Sequence, residues 1–218
     1  MQSLKILFLT ISTFLKKMFG LFNMPKRYSQ LLDEVRRTKS SHIMEIGTWQ
    51  GTRARAMIEE AKKMRNAKDI HYYGFDLFET MDVNQFAYEI SKQPPTLTDI
   101  EKKLQETGVN VHLYKGNTMK TLPAVISDLP PMDVIFIDGG HSLETIQNDW
   151  RCAKALMSEK TAVIFDDYWL NRHDGARPVV DAIDRTKYTV NLLPVVDVFF
   201  NPNFGRLVIV FAKVTRCS

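Results

Sequence analysis

Two short segments of the chain carry an apolar run directly into carboxylate residues. The first is Phe136–His141, which contains Asp138, and the second is Ile164–Trp169, which contains Asp166 and Asp167. Because the carboxyl ends of parallel strands face the ligand crevice of an open sheet, we expect these three acids to share one site. Three carboxylates in one site need a cation, so the sequence predicts a divalent metal beside a bound substrate. Oxygen ligands suit Mg²⁺ or Mn²⁺.

These acids also allow an interpretation without a metal. Asp138 could contact a cofactor while Asp166 and Asp167 cap the segment that follows them. His141 is a candidate general base, because an imidazole titrates near neutral pH and His141 lies three residues beyond Asp138. It could equally orient a cofactor or substrate. Asp138 and His141 are therefore the candidate catalytic residues.

A glycine-containing turn at residues 45–52 predicts a nucleoside-type site. Gly47 permits an unusual backbone angle and close ligand approach, and Gly51 allows tight packing at the start of the next helix. Trp49 stands where a second glycine would admit a pyrophosphate, which disfavours a dinucleotide and a nicotinamide oxidoreductase. Asp76 ends the next predicted strand, where an acid can accept hydrogen bonds from ribose hydroxyls.

Glu45 precedes the same turn and could hold a cationic amino group of a ligand, directly or through water. The alternative for Glu45 and Asp76 is that both carboxylates cap helices.

The elements that must position these residues alternate between strand and helix patterns from His42 onward. This alternation predicts a doubly wound α/β domain with a mostly parallel, seven-stranded, Rossmann-like sheet. The predicted strands lie near 42–46, 70–75, 109–114, 132–137, 161–165, 188–193 and 206–214, and the predicted helices near 52–65, 119–127, 143–157 and 176–186.

Two parts of the domain depart from this alternation. Extended runs at 195–200 and 207–211, joined by turn residues, predict an antiparallel terminal element. Residues 79–108 form a long excursion with helical stretches on either side of Pro94 and Pro95, which predicts either a lid over the site or an ordinary crossover helix.

Residues 1–24 carry a helical stripe of apolar side chains with cationic flanks, and the remainder, 25–218, is predicted as one domain. The uncharged run 6–15 is too short to span a bilayer, which takes about 20 residues. Three interpretations remain for this amphipathic helix. It could make a peripheral contact with an anionic membrane, form a homodimer, or pack on the core of its own domain.

Charge and cysteine content narrow the setting. Residues 1–68 hold 14 Lys and Arg against 5 Asp and Glu, which predicts a solvated basic face or a surface for a polyanion. No interleaving of aromatic and basic residues indicates a single-strand nucleic-acid platform. Two cysteines cannot build a disulfide framework, which favours a reducing, cytoplasmic setting, with membrane association through residues 1–24 as the alternative.

In order and spacing, five motifs resemble those of class I S-adenosylmethionine-dependent methyltransferases, and more narrowly those of small-molecule O-methyltransferases related to the macrocin O-methyltransferase group. The motifs are Glu45–Thr52, Gly74–Asp76, Lys115–Thr118, Ile137–Ser142 and Asp166–Trp169. The resemblance implies that 25–218 is a methyltransferase domain with S-adenosylmethionine as its cofactor and Mg²⁺ bound to Asp138, Asp166 and Asp167. It implies a cofactor site formed by Glu45, Gly47, Thr48, Trp49, Gly51, Asp76, Asn117, Thr118 and Asp138.

The sequence thus predicts a metal-assisted methyltransferase that acts on a hydroxyl of a sugar or another small polar metabolite. Nucleic acid is disfavoured as the acceptor. Two alternatives stay open: a noncatalytic ligand-binding or membrane-recruited module, and an RNA or protein methyltransferase that docks through the basic N-terminal half, which predicts salt-sensitive binding.

Overall fold

The computed structural model describes residues 24–80, 95–201 and 204–217. Within these ranges the chain forms eight strands: β1 (His42–Ile46), β2 (His71–Asp76), β3 (Asn110–Lys115), β4 (Met132–Ile137), β5 (Met157–Trp169), β6 (Tyr188–Leu192), β7 (Asp197–Asn201) and β8 (Gly205–Arg216). The α-helices of the same ranges are α1 (Tyr28–Thr38), α2 (Thr52–Ala61), α3 (Leu97–Gln105), α4 (Thr118–Val125), α5 (Leu143–Ala155) and α6 (Arg177–Asp181).

The strands form one mixed sheet in the order β3-β2-β1-β4-β5-β8-β6, with β7 paired to β8. Strands β1 to β5 pair in parallel, and β8 runs antiparallel to β5, β6 and β7. This arrangement confirms the prediction of a doubly wound, mostly parallel sheet with an antiparallel terminal element. The predicted pair of extended runs corresponds to the β7–β8 hairpin.

Helices cover both faces of the parallel strands, which is why β1, β4 and the middle of β5 read as nearly continuous apolar runs. On one face α1, α2 and α3 contribute buried side chains such as Leu31, Met57 and Leu104. On the other face α4, α5 and α6 contribute Leu122, Trp150 and Val180. Because β1 to β5 run in the same direction, their carboxyl ends lie at one edge of the sheet, where the candidate site residues are found.

The structure differs from the sequence prediction in two helices. The predicted helix at 176–186 is only Arg177–Asp181, because the Asp184 carboxylate accepts hydrogen bonds from the Thr186 backbone N–H (2.9 Å) and hydroxyl (2.6 Å) and so forms a turn. Helix α1 had no counterpart among the predicted elements, although Tyr28, Leu31 and Val35 are buried along it.

Two sequence predictions fall wholly or partly outside the described residues. The N-terminal segment lies there up to residue 23, and so do residues 81–94 of the predicted lid. Within the described part of 79–108, α3 is a crossover helix whose Ile100 and Leu104 are buried against the sheet. No helix in the described ranges has both the length and the apolar character needed to cross a membrane.

Candidate active site

A crevice opens at the carboxyl edge of the parallel strands, and its empty space, open solvent included, is about 530 Å³. Its walls come from the segments that follow β1, β2, β3 and β4. The residues that line it are Ile46, Gly47, Phe75, Asp76, Leu77, Gly116, Asn117, Thr118, Gly139, Gly140 and Thr145. Four of the predicted cofactor residues, Gly47, Asp76, Asn117 and Thr118, are therefore brought together around one cavity.

The turn after β1 requires glycine at position 47. Gly47 has φ +95°, and a Cβ added to it would lie 1.9 Å from the carbonyl oxygen of Asp138. The turn is fixed by hydrogen bonds from Gly47 N to Phe75 O and from Asp138 N to Ile46 O, each 2.8 Å long. The backbone there is thus pressed between two strand ends and open to the crevice on its remaining side. Such a bare backbone surface admits close approach of a ligand, as the sequence predicted.

Asp76 ends β2 with a buried carboxylate that faces the same crevice. It accepts hydrogen bonds from the backbone N–H of Trp49 (2.6 Å) and of Phe78 (2.9 Å). Burial raises the pKa of Asp76, and these backbone donors partly oppose the shift. A carboxylate has about four lone-pair sites, so Asp76 retains capacity to accept further hydrogen bonds from a ligand.

Glu45 and Thr48 are buried side chains that the structure places under the turn. Glu45 has no exposed surface and accepts a hydrogen bond from Tyr72, whose hydroxyl lies 3.1 Å from Thr48 Oγ1. Among the described residues no group hydrogen-bonds Glu45 Oε1. Burial raises the pKa of Glu45 to about 8. Glu45 does not line the crevice, so its contact with a ligand amino group, directly or through water, stays a prediction.

The other predicted cofactor residues act on backbone geometry. Gly51 adopts φ +67° immediately before α2, and Trp49 adopts φ +42° while its N–H binds Asp76. Asn117 caps α4, since its Oδ1 accepts a hydrogen bond from Met119 N at 2.9 Å. Asn117 and Thr118 still line the crevice, as expected of residues that flank a cofactor base.

Asp166 is buried in a pair with Arg27, which immediately precedes α1. Arg27 Nε lies 2.9 Å from Asp166 Oδ1, and a terminal guanidinium nitrogen lies 3.0 Å from Oδ2. The Tyr28 hydroxyl donates to Oδ2 at 2.6 Å. Arg27 is 5% exposed and Asp166 3% exposed, so this bidentate pair is shielded from solvent.

Asp138 follows β4 and faces Arg53, on the first turn of α2. The distance from Arg53 Nε to Asp138 Oδ2 is 3.3 Å. Burial raises the pKa of Asp138 well above its ordinary value, and the positive charge of Arg53 opposes this shift only in part. The guanidinium of Arg53 lies over the Tyr28 ring, 4.9 Å from its centroid, which connects this pair to Arg27 and Asp166.

Asp167 points in a different direction from Asp166, because β5 bulges between Phe165 and Tyr168 where it pairs with β8. Asp167 adopts φ +54°, which is strained for a residue with a side chain. Its Oδ2 lies 2.9 Å from His141 Nε2, and its Oδ1 accepts a hydrogen bond of 3.2 Å from the Trp169 indole. Burial acts to raise the pKa of Asp167, but these donors outweigh it, and the pKa lies below the ordinary value.

The sequence predicts that the three acids hold a divalent metal, but their arrangement in the structure does not fit one. Each carboxylate already faces a cation or hydrogen-bond donor of the chain itself, and the bulge turns Asp166 and Asp167 apart. Among the described residues no three His, Cys, Asp or Glu side chains are arranged to hold a metal ion. The structure thus gives no support to Asp138, Asp166 and Asp167 as metal ligands.

The residues that pair with these acids were not predicted from the sequence: Arg27, Tyr28, Arg53 and Trp169. One signal in the sequence could have indicated them. Three acids in one site need positive charge nearby, and arginines can supply that charge as well as a metal can. The basic N-terminal half, in which Arg27 and Arg53 lie, was a second indication. No local motif marks Arg27, because its partner Asp166 is 139 residues away.

Comparison with known proteins places the chain in a family. A family model described as a methyltransferase domain matches residues 44–168, more than half of the chain. No curated protein has significant sequence similarity to it.

Several solved structures share the fold. The O-methyltransferase TomG from Streptomyces achromogenes, involved in tomaymycin synthesis and solved with S-adenosylmethionine, has a TM-score of 0.57 at 17% identity and covers 89% of this chain and 84% of its own. An O-methyltransferase from Bacillus cereus, solved with S-adenosylhomocysteine, gives 0.57 at 16% identity, with 88% and 82% covered. A precorrin-6y C5,15-methyltransferase from Geobacter metallireducens gives 0.55 at 15% identity, with 87% and 86% covered. At these identities the solved structures support only the fold. The evidence for methyltransferase chemistry is the family match. The chain belongs to the methyltransferase domain family and is a class I S-adenosylmethionine-dependent methyltransferase.

Proposed function

We propose that the chain transfers the methyl group of S-adenosylmethionine to a hydroxyl oxygen of a small polar acceptor, with a sugar as the first candidate. The observation that carries this proposal is the pair formed by His141 and the partly buried carboxylate of Asp167, 2.9 Å apart. His141 directly follows Gly139 and Gly140, which line the crevice. His141 would thus act as a general base beside the crevice that we propose for the cofactor.

The crevice residues fit the cofactor. Gly47 and Asp76 would hold its methionine and ribose portions, and Asn117 and Thr118 would flank its adenine. When bound, the sulfonium supplies an electrophilic methyl group. The bare backbone at Gly47, where a Cβ would clash, and the unfilled hydrogen-bonding capacity of Asp76 support this assignment.

His141 is suited to take the proton of an acceptor hydroxyl. In the neutral tautomer whose Nε2–H donates to Asp167, Nδ1 is the ring nitrogen that carries no proton. The lowered pKa of Asp167 keeps that carboxylate ionised, so it stabilises the imidazolium that forms when the hydroxyl proton moves to Nδ1. The acceptor oxygen then bonds to the methyl carbon as the carbon–sulfur bond breaks.

Acidic hydroxyls would need little help from a base, whereas sugar hydroxyls need it. The placement of a strained carboxylate that orients His141 thus favours an alcohol-type acceptor. The resemblance to macrocin-type O-methyltransferases supports a sugar, and the names of TomG and the Bacillus cereus enzyme support oxygen as the acceptor atom.

The test measures methyl transfer from radiolabelled S-adenosylmethionine to a panel of monosaccharides, glycosides and catechols. H141Q and D167N should lower kcat by roughly 10²- to 10⁴-fold, the usual contribution of a general base. Affinity for S-adenosylhomocysteine, measured by calorimetry, should be unchanged in both variants.

The matched control is D128N, which removes one carboxylate charge at an exposed position that does not line the crevice. It should retain wild-type kcat. Equal rates for H141Q and D128N on an accepted substrate would remove His141 from the mechanism, and transfer to no hydroxyl compound in the panel would count against the acceptor class.

A further inference from the structure

We infer that Arg27 and Arg53, and not a divalent cation, supply the counter-charge of Asp166 and Asp138, whereas the third acid, Asp167, is paired with His141 and the Trp169 indole. This inference rests on the proposed function and deepens it, because it implies that methyl transfer at this site proceeds without a bound metal. It stands on the partners that each carboxylate has within the chain.

The carboxylate of Asp166 is fully committed to donors of the chain. Its Oδ1 accepts hydrogen bonds from Arg27 Nε (2.9 Å) and from the backbone N–H of Asp167 (2.7 Å). Its Oδ2 accepts from the second Arg27 nitrogen (3.0 Å) and from the Tyr28 hydroxyl (2.6 Å). Since a carboxylate offers about four lone-pair sites, none is left for a metal ion.

Arg27 is itself held from several sides, so it cannot swing away to admit an ion. The Asp197 carboxylate on β7 accepts hydrogen bonds from Arg27 N (2.9 Å) and from a terminal nitrogen of the Arg27 guanidinium (3.2 Å). The guanidinium also lies over the rings of Tyr28, Phe199 and Phe211, between 4.8 and 5.4 Å from their centroids. A metal that displaced Arg27 from Asp166 would leave a buried guanidinium with fewer partners, which is costly.

The two remaining acids have partners as well. Asp167 uses one oxygen for His141 and the other for the Trp169 indole. Asp138 faces Arg53, whose side chain is 26% exposed. Mg²⁺ needs near-ideal octahedral oxygen ligands and loses its water reluctantly, so it would gain little from acids that point toward different partners.

The first test needs no acceptor, because it measures binding of Mn²⁺ by electron paramagnetic resonance in the full chain. Wild type and D166N should bind Mn²⁺ with affinities that differ by less than about threefold. D138N serves as a second variant and should behave in the same way. An affinity of wild type that exceeds either variant's by threefold or more would overturn the inference.

The second test addresses the arginine directly through thermal unfolding. R27M should lower the unfolding midpoint by roughly 6–20 °C, because it leaves Asp166 buried without its cation. The double variant R27M/D166N should be more stable than R27M, since the uncompensated charge is gone. Recovery of folded protein in the double variant, where R27M alone does not fold, counts as the same result. A double variant no more stable than R27M would contradict the arginine's role.

These outcomes separate the inference from the proposed function. Failure to bind S-adenosylhomocysteine in calorimetry would remove the proposed function and leave the Mn²⁺ and unfolding results unaffected. Tight Mn²⁺ binding that depends on Asp166 would remove the inference, while a methyltransferase with a metal would remain.

Discussion

Replacement of Gly47 by alanine gives a sharp test of how the cofactor crevice is built. The added Cβ would lie 1.9 Å from Asp138 O, 2.5 Å from Asp138 C and 2.9 Å from Gly139 N. All three neighbours are backbone atoms, so no side chain can rotate away to relieve the contact. The loop after β4 or the turn after β1 must move instead.

The cost of this substitution has two parts. Forcing an L-residue to a left-handed backbone angle costs about 1–2 kcal/mol. Separating the two backbones strains the hydrogen bonds from Gly47 N to Phe75 O and from Asp138 N to Ile46 O, which contribute about 1 kcal/mol each. We therefore expect G47A to lower the free energy of unfolding by about 3 kcal/mol or more.

The assay is urea unfolding, together with calorimetric titration of S-adenosylhomocysteine. The control is G205A, because Gly205 also has positive φ (+73°) but a Cβ added to it would have no described atom within 4 Å. G205A should lose only the backbone strain, about 1–2 kcal/mol, and keep its affinity for the ligand. G47A should bind the ligand more than about tenfold more weakly, since the crevice wall has moved. If G47A and G205A proved equally stable, the contact between the two strand ends would not constrain the turn.

Two further predictions concern pH. Burial raises the pKa of Glu45 to about 8, so the folded state holds its proton more tightly than the unfolded state, and Glu45 loses stabilising effect as the pH rises from its ordinary pKa of 4.5 toward 8. In urea unfolding, the free energy of unfolding of E45Q minus that of wild type should therefore grow across this window, by at most about 1.4 kcal/mol per pH unit. A difference that stays constant with pH would contradict the raised pKa of Glu45. Burial, reinforced by the charge of His71, lowers the pKa of His42 and His112, so the unfolded state binds protons first and stability should fall as the pH drops below 6.5. In the same unfolding assay, the double variant H42Q/H112Q should lose less free energy of unfolding than wild type between about pH 7 and 5.5, because it lacks the two histidines that bind protons in the unfolded state.

The fold and the cofactor crevice could be predicted because their signals are local. Strand β1 and strand β4 have the predicted bounds, since each is a short apolar run that ends in a polar turn. Gly47 and Asp76 follow directly from such strand ends, and parallel pairing of β1 with β2 and β4 brings those ends to one edge. A residue at a strand end thus has its place fixed by the sheet.

The charge pairing could not be predicted, because it depends on long-range packing. Arg27 precedes a helix that was not predicted from the sequence, and it reaches Asp166 only because α1 packs across β4 and β5. The separate directions of Asp166 and Asp167 depend on a bulge opposite β8, which forms with a strand about forty residues away. Neighbouring acids in a sequence therefore gave no information about whether their carboxylates converge.

The position of the arginines explains how the chain itself provides the counter-charge of Asp166 and Asp138. Arg27 and Arg53 lie at the N-terminal ends of α1 and α2, where the helix dipole favours negative charge nearby. A cation at such a helix end is unfavourable by itself, so these arginines are stabilised there by the acids opposite them. When α1 packs against the sheet, Tyr28 becomes buried and Arg27 pairs with Asp166. The acid cluster and the packing of α1 on the sheet therefore depend on each other. Loss of Arg27 should leave the buried charge of Asp166 unbalanced, and loss of Asp166 should do the same to Arg27.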